Sequence, residues 1–368
     1  MQTVIRRMHI EQGKRLLVMS DIHAHLDEMK KALKEAKFSG DDMLVIVGDL
    51  VEKGKNSLGV LRFVMQLTEG GNVVPLMGNV DIWRLSQLMK DDEQTLRGMV
   101  KYSMQAVRWW GGSMLHEMCA EMGIEVSEDM DICRLILAIR QHFAKELSFI
   151  AGLPTILETG RLIFVHGGLP HENLSAFVGK NPYPLLKYDD FLSHAPAFQK
   201  YVIVGHWPVV LYRPNIPDQK PLIDKERHIV SIDGGCGVKR EGQLNLLVSQ
   251  GEDIEHAKVI CSDCLPEITA LEDQAENTHS VSIRWGDHDV EKLSESGDMA
   301  RIRYHGYDMD VPKTRLFIDE SGHLACNDIS DYHLSVCVGD TLKLIHSCSK
   351  GVYAKKNGVC GWYFGKLK

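Results

Sequence analysis

Short apolar runs, each closed by polar or glycine residues, punctuate the first 250 positions. "KRLLVMSDIH" is one such run. "HLDEMKKALKEAKF" after it sets Leu26, Met29, Leu33 and Ala36 on one helical face. "FSGDD" reads as a loop, "MLVIVGD" as a second buried strand, and "NSLGVLRFVMQLTEGG" as a helix closed by Gly-Gly. "NVVPLMGN" is a third strand. The strand–helix–strand–helix–strand order predicts parallel strands joined by right-handed crossovers.

The pattern then changes. Within 82–150, "TLRGMVKYSMQAVRWWGGSMLHEMCAEMG" and "DICRLILAIRQHFAKELSFIAG" read as long amphipathic helices, too much chain for a loop. Trp109 and Trp110 are expected to be packing residues. Strands return with "TILETGRLIFVHGG", a hairpin turning at Thr159-Gly160, then "YVIVGHWPVVLY", "HIVSIDGG" and a closing "GQLNLLVSQ". Residues 251–277 are acidic and weakly patterned and are expected to be a linker. Residues 278–368 carry short alternating runs with many glycines, which predicts a small antiparallel β-barrel.

Composition narrows the class. The chain has 368 residues, 44% hydrophobic and 25% charged, which is globular and long enough for two or three domains. A net charge of −8 disfavours a general nucleic-acid binder, while a local basic pocket for phosphate stays compatible. No apolar run reaches the roughly 20 residues of a membrane span. "MQTVIRRMHIEQGK" has no apolar signal core, so a cytoplasmic location is expected. Nine scattered cysteines read as thiols, with Cys261-x-x-Cys264 lacking the second pair a zinc site wants. Cys326, Cys337, Cys348 and Cys360 are expected at one inward-facing position on successive strands.

Five apolar strands end in groups that bind metals. "LLVMS" leads to Asp21 and His23, "MLVIV" to Asp49, "VVPLM" to Asn79, "RLIFV" to His166 and "YVIVG" to His206. In α/β sheets functional groups gather at the carboxyl ends of strands, and the adjoining glycines permit sharp turns. Two aspartates, one asparagine and three histidines suit manganese, iron or zinc better than magnesium or calcium. Six protein ligands exceed one open catalytic ion and fit a pair sharing a carboxylate.

The ordered set Asp21-x-His23, Gly48-Asp49-x-x-Glu52-Lys53-Gly54, Gly78-Asn79-Val80-Asp81, His166-Gly167-Gly168 and Gly205-His206 resembles the calcineurin-like metallophosphoesterases. It is most similar to the branch of serine/threonine phosphoprotein phosphatases and symmetrical diadenosine tetraphosphatases. The resemblance covers residues 15–250. It implies an α+β, four-layer α/β/β/α sandwich over residues 1–250, with the helical insertion at 82–150. It further implies that Asp21 and His23 hold a first divalent or trivalent transition metal ion, that Asp49 bridges, and that Asn79, His166 and His206 hold a second. Attack of a metal-bridging hydroxide on phosphorus would then hydrolyse phosphate esters or anhydrides. The expected partner is a phosphorylated small molecule, nucleotide or phosphoprotein, with neither nucleic acid nor membrane. "GVYAKKNGVCGWYFGKL" resembles the end of a bacterial SH3-like module, which implies a peptide or cell-wall ligand for residues 278–368.

Three positions depart from the family pattern. The histidine expected to protonate the leaving oxygen is Val80, and the carboxylate that would hold it is Glu52. The two phosphate-binding arginines correspond to Lys53 and Met77. His25 is the nearest replacement acid by sequence, and Lys53 a point-charge phosphate contact. Asp81 is expected to orient a ligand or support the turn, and Asp233-Gly234-Gly235 resembles the family's closing turn. The missing acid favours anhydrides and activated esters. It also leaves a second reading, an impaired metallophosphoesterase fold acting as a scaffold through its C-terminal barrel.

Overall fold

The computed structural model describes residues 1–11 and 13–368. Two compact units divide the chain: Met1–Trp207 with Pro221–Ser262, and Pro208–Lys220 with Asp263–Lys368.

The first unit contains β1 (Ile5–Arg7), β2 (Arg15–Met19), β3 (Met43–Ile46), β4 (Val73–Pro75), β5 (Ile156–Glu158), β6 (Leu162–Val165), β7 (Tyr201–Val204), β8 (Leu222–Asp224), β9 (Ile229–Ser231), β10 (Leu244–Gln250) and β11 (Lys258–Ser262). One sheet runs β11-β10-β2-β3-β4, the other β1-β5-β6-β7-β9-β8. As the pattern predicts, β2, β3 and β4 are parallel, and β5 and β6 form an antiparallel hairpin. Side-chain alternation makes one sheet serve two cores. Leu16, Val18, Val45 and Val47 pack with Phe164, Ile203 and Val230 of the second sheet. Leu17, Met19, Leu44 and Ile46 face the helices instead.

Those helices are α1 (Leu26–Glu35), α2 (Ser57–Thr68), α3 (Asn79–Leu88), α4 (Glu93–Trp110), α5 (Met114–Glu121), α6 (Ile132–His142) and α7 (Ala144–Ala151). The insertion is more broken than its periodicity predicts. Gly111 at φ 77° caps α4, and Gly112 lies so near the loop before α2 that a Cβ on it would stand 2.5 Å from the Gly54 carbonyl oxygen. The second predicted helix divides at buried Phe143, whose φ of −103° and ψ of 27° leave the helical range. Trp109 does not pack as expected; it is 62% exposed.

The stretch expected as a linker divides between the units. Val259 and Cys261 of β11 pair with β10 in the first, whereas β12 (Glu267–Thr269) belongs to the second. The second unit continues with β13 (Ser282–Ile283), β14 (Glu291–Ser296), β15 (Met299–Tyr304), β16 (Tyr307–Pro312), β17 (Leu316–Ile318), β18 (Leu324–Cys326), β19 (Ile329–Ser330), β20 (Thr341–Cys348), β21 (Gly351–Lys356) and β22 (Val359–Tyr363). These strands form separate sheets, β12-β20-β21-β22 and β14-β15-β16, with two strand pairs. Among the described residues no closed SH3-like barrel forms: β14 is an edge strand exposed along its whole length, so its ladder does not continue around. Residues 208–220 join this unit through bonds from the Cys360 and Gln219 N–H groups to the Pro217 and Gly358 carbonyls, at 2.9 and 2.8 Å. Cys326 and Cys360 are buried, but Cys337 is exposed and outside any strand, so the cysteine spacing does not mark one inward position. No described helix is long and apolar enough to cross a membrane.

Candidate metal centre

The loops after β2, β3, β4, β6 and β7 carry the predicted groups, and backbone bonds draw the loops together. The Asp21 N–H donates to the Gly48 carbonyl, His23 N–H to Asp49, and Gly205 N–H to His166, all within 3.0 Å. Asp21, His23, Asp49 and His206 have φ values of 52°, 47°, 54° and 67°. Non-glycine residues seldom adopt this left-handed conformation, and its recurrence at four candidate ligands marks backbone held under strain where side chains must converge. Two glycines admit the approach. A Cβ on Gly78 would lie 2.1 Å from the Asp49 carboxylate, and one on Gly48 2.7 Å from His166 Nδ1.

Asp21, His23 and Asp49 are buried, with ligand atoms all within 4.8 Å of one another. His23 Nε2 stands 3.9 Å from Asp21 Oδ1 and 3.6 Å from Asp49 Oδ2. The other Asp49 oxygen, Oδ1, lies 3.4 Å from His166 Nε2, which is 2.9 Å from Asn79 Oδ1. Donors about 2.1 Å from one ion stand about 3 to 3.4 Å apart; the spacings at His166 match this, and those at His23 are wider by a few tenths of an ångström. The two Asp49 oxygens thus face two different clusters. His206 joins from the side, its ring centroid 5.3 Å from that of His166. Its backbone N–H donates to Asp21 Oδ2 at 3.0 Å, and its Nε2 is 2.7 Å from Asp189 Oδ1, which leaves Nδ1 as the nitrogen available to a metal. Carboxylate oxygens, an amide oxygen and imidazole nitrogens converging in this way have the chemistry of a metal-binding group.

The electrostatics follow from burial and like charge. Burial, with Asp49 adding to it, raises the Asp21 carboxyl pKa despite His166 nearby. Burial also opposes the charge of Asp49, but His166, His23 and Lys53 outweigh it and hold Asp49 well below the carboxylate range. Burial and the Lys53 charge keep His23 neutral, and burial together with His166 lowers His206 to about 4. Burial opposes the charge of His166, but Asp49 and Asp21 outweigh it and raise that ring to about 10. His166 would therefore shed a proton on binding a metal, which requires neutral imidazoles and ionised carboxylates.

The remaining predicted residues are placed unevenly. Lys53 Nζ is 3.4 Å from His23 Nε2, so its charge does reach the cluster. The His25 ring turns to backbone, Nδ1–H donating to the His23 carbonyl at 2.6 Å. Met77 lies in the helix-side core, so no second cation stands there. Val80 contributes its backbone: its N–H donates to Asp49 Oδ1 at 2.8 Å. Asp81 ties the two loops, accepting from Leu50 N–H at 2.9 Å and Gly78 N–H at 3.0 Å. Three participants carry no sequence signal of a site role. Asp189, in "KYDDF", orients His206 from a loop without periodicity. Arg84 pairs with Glu52. Asp233, expected as a turn residue, is buried, accepts the Gly235 N–H at 2.7 Å, and is held well above the carboxylate range by burial and by Asp21.

A family model described as Calcineurin-like phosphoesterase matches residues 14–223. Shewanella-like protein phosphatase 2 of Arabidopsis thaliana is 24% identical over 203 residues, covering 47% of this chain and 51% of that protein. A symmetrical bis(5'-nucleosyl)-tetraphosphatase of Vibrio cholerae is 43% identical over 70 residues, covering 19% of this chain and 25% of that protein. The matched region thus spans about half the length of the first relative and a quarter of the second. Among solved structures, a protein serine/threonine phosphatase from Saccharomyces cerevisiae superposes with a TM-score of 0.41 at 10% identity, over 72% of this chain and 84% of that one.

Proposed function

Because the chain belongs to the calcineurin-like phosphoesterase family, we propose that it is a metal-dependent hydrolase of phosphate esters or anhydrides. Asp21, His23 and Asp49 would hold one transition metal ion, and Asp49, Asn79, His166 and His206 a second, in a domain built on residues 1–250. Ions so held supply an activated water and neutralise charge on the phosphoryl oxygens. The protein groups do the rest. The Val80 N–H fixes the Asp49 carboxylate, and Asp81 holds together the two loops that carry Asp49 and Asn79. Asp189 sets the His206 ring. Lys53 offers a point charge to a phosphate oxygen without the bidentate fork of an arginine. Val80 has no proton to give, so the leaving oxygen must depart with little help unless His25 supplies it through Nε2.

The observation that most supports this reading is the division of the two Asp49 oxygens between His23 and His166. The names of the relatives, a protein phosphatase and a dinucleoside tetraphosphatase, supply the candidate substrate classes, phosphoproteins and nucleotide anhydrides. The test is turnover of para-nitrophenyl phosphate with added manganese, zinc or iron. Turnover abolished by Asp49→Asn supports the hydrolase. A scaffold working through the C-terminal unit, which Val80 and Met77 favour, predicts no turnover with any of the three metals.

A further inference from the structure

Outside the candidate ligands, four aromatic rings stand in a row on the helical insertion. Trp83 of α3 meets Tyr102 of α4 edge-on, with ring centroids 4.8 Å apart. Tyr102 lies 6.2 Å from Trp110, which meets Trp109 at 5.4 Å. Rings of this size normally go inward. Here Trp83, Tyr102 and Trp110 are half-buried, and Trp109 is exposed. The inner end of the row is fixed from below. The guanidinium of fully buried Arg84 is 4.7 Å from the Trp83 ring and 5.6 Å from that of Tyr102, and Glu52 holds it in place.

The row starts on the helix that carries Asn79 at its first turn. Asn79 and Trp83 are four residues apart on α3, and Val80 and Trp83 three, so they share a face; long helical side chains also lean toward the N-terminus. Asn79 is the residue whose Oδ1 reaches His166 Nε2. At the other end, Gly112, two residues past Trp110, lies against Gly54, next to Lys53.

We propose that Trp83, Tyr102, Trp110 and Trp109 form a stacking subsite for a planar ring carried by the phosphate substrate. The inference rests on the hydrolase reading above and narrows its substrate class. With Val80 in place of an acid, a good leaving group is needed. Aryl oxides and nucleoside phosphates are such groups, and each brings a flat π face. Stacking on an aromatic side chain does not depend on the hydrogen-bonding edge of the ring.

Two rate ratios test this on the manganese-loaded full chain. One compares kcat/KM for para-nitrophenyl phosphate with that for acetyl phosphate, an activated substrate without a ring. The other compares diadenosine tetraphosphate with tripolyphosphate. In Trp83→Ala and in Trp109→Ala at least one ratio falls about fivefold or more, mainly through KM, and Trp83→Phe restores it. A fall in the first ratio alone assigns an aryl ester, and a fall in the second a nucleotide. Trp109 is exposed, so its substitution carries the test even if Trp83→Ala does not fold. If neither ratio moves in a folded variant, the subsite is overturned. If the unaltered protein turns over none of the four compounds with manganese, zinc or iron, the hydrolase reading fails, and binding decides the subsite. Quenching of indole fluorescence by adenosine monophosphate that is lost in Trp109→Ala supports it, and absence of quenching overturns it.

Discussion

Glu52 and Arg84 form an ion pair with no solvent access: the Arg84 Nε–H donates to Glu52 Oε1 at 2.6 Å, and both side chains are 0% exposed. The same oxygen takes the Met114 N–H at 3.1 Å, where α5 begins. Among the described residues, Glu52 Oε2 and both terminal nitrogens of Arg84 have no hydrogen-bond partner. The family resemblance assigns the carboxylate at Glu52 to a histidine that is Val80 here. In this chain it holds an arginine one helical turn further along α3 instead.

A buried pair of this kind is costly to break and cheap to replace whole. Arg84→Met strands a buried carboxylate, and the expected loss is about 3–5 kcal/mol. Glu52→Gln with Arg84→Met removes both charges and recovers most of that loss. Urea denaturation of the two single variants and the double variant measures the coupling. A double variant as unstable as the sum of the singles would show that the pair does not act as a unit.

The same pair limits what can be restored at Val80. An acid positioned at the leaving oxygen is typically worth about 10²–10⁴-fold. Without one, alkyl phosphates should be hydrolysed far more slowly than aryl phosphates or anhydrides. Val80→His alone should gain little on alkyl substrates, because Glu52 is committed to Arg84. Val80→His combined with Arg84→Met frees the carboxylate and should gain more. Rates on matched alkyl and aryl phosphates decide it, and equal rates in the unaltered protein would mean that another group already supplies the proton.

The strand ends at Asp21, Asp49, Asn79, His166 and His206 were legible because parallel strands deliver their carboxyl ends to one edge, and glycine spacing marks the turns. Asp189 and Asp233 were not, since their roles arise from loops meeting across the fold and not from any period. Arg84 lies before the first helix that the pattern predicts after the third strand and carried no reading; only its burial against Glu52, Trp83 and Tyr102 gives it a role. The break at Gly111-Gly112 was hidden because the apolar spacing continues through it, and the close approach to Gly54 is tertiary. The C-terminal alternation correctly announced antiparallel strands, but closure of a barrel depends on register and edge pairing, which alternation does not encode.

Two glycine-to-alanine changes should move stability in opposite directions. At Gly78 a methyl group would sit 2.1 Å from both the Asp49 amide nitrogen and its carboxylate, which are backbone and ligand and cannot give way. Gly78→Ala should therefore abolish turnover and lower the thermal midpoint. Gly98 lies inside α4 with nothing within 4 Å of its added Cβ. Gly98→Ala should stabilise by about 0.5–1 kcal/mol through helix propensity. Thermal unfolding of both variants checks the pair.

A second ion pair gives stability a pH signature. Asp42, nearly buried, accepts from Arg15 Nε and Nη2 at 2.7 Å each, and also from the Ser39 N–H at 2.8 Å. Burial opposes its charge, but Arg15 and Ser39 outweigh that and hold its pKa below the ordinary value. A carboxyl lowered in the folded state adds stability that is complete above its unfolded pKa of about 3.9 and is lost as pH falls through the folded value. Asp42→Asn should cost about 1.5–3 kcal/mol at pH 7, and the difference from the unaltered protein should shrink below about pH 4. A difference that stays constant from pH 7 to pH 3 would show that the pair contributes through shape and not charge.

Metal loading should be visible without any assay of turnover. Asp21 and Asp49 are like charges in one buried cluster, and four of the candidate ligands lie on left-handed backbone. A cation offsets the repulsion and gains only from the folded arrangement, so it stabilises by about 2.7 kcal/mol at a hundredfold excess over its Kd. For a unit of this size that raises Tm by roughly 5–10 °C, and chelation reverses it. Asp21→Asn separates the two contributions. Burial and Asp49 already disfavour the Asp21 charge, so the amide should leave the chelated protein as stable as before or more so. It should also remove much of the gain on adding manganese. Calorimetry of both proteins with manganese and with chelator gives the four midpoints required. A chelated Asp21→Asn protein that melts well below the unaltered one would mean that this carboxylate supports the fold and not an ion.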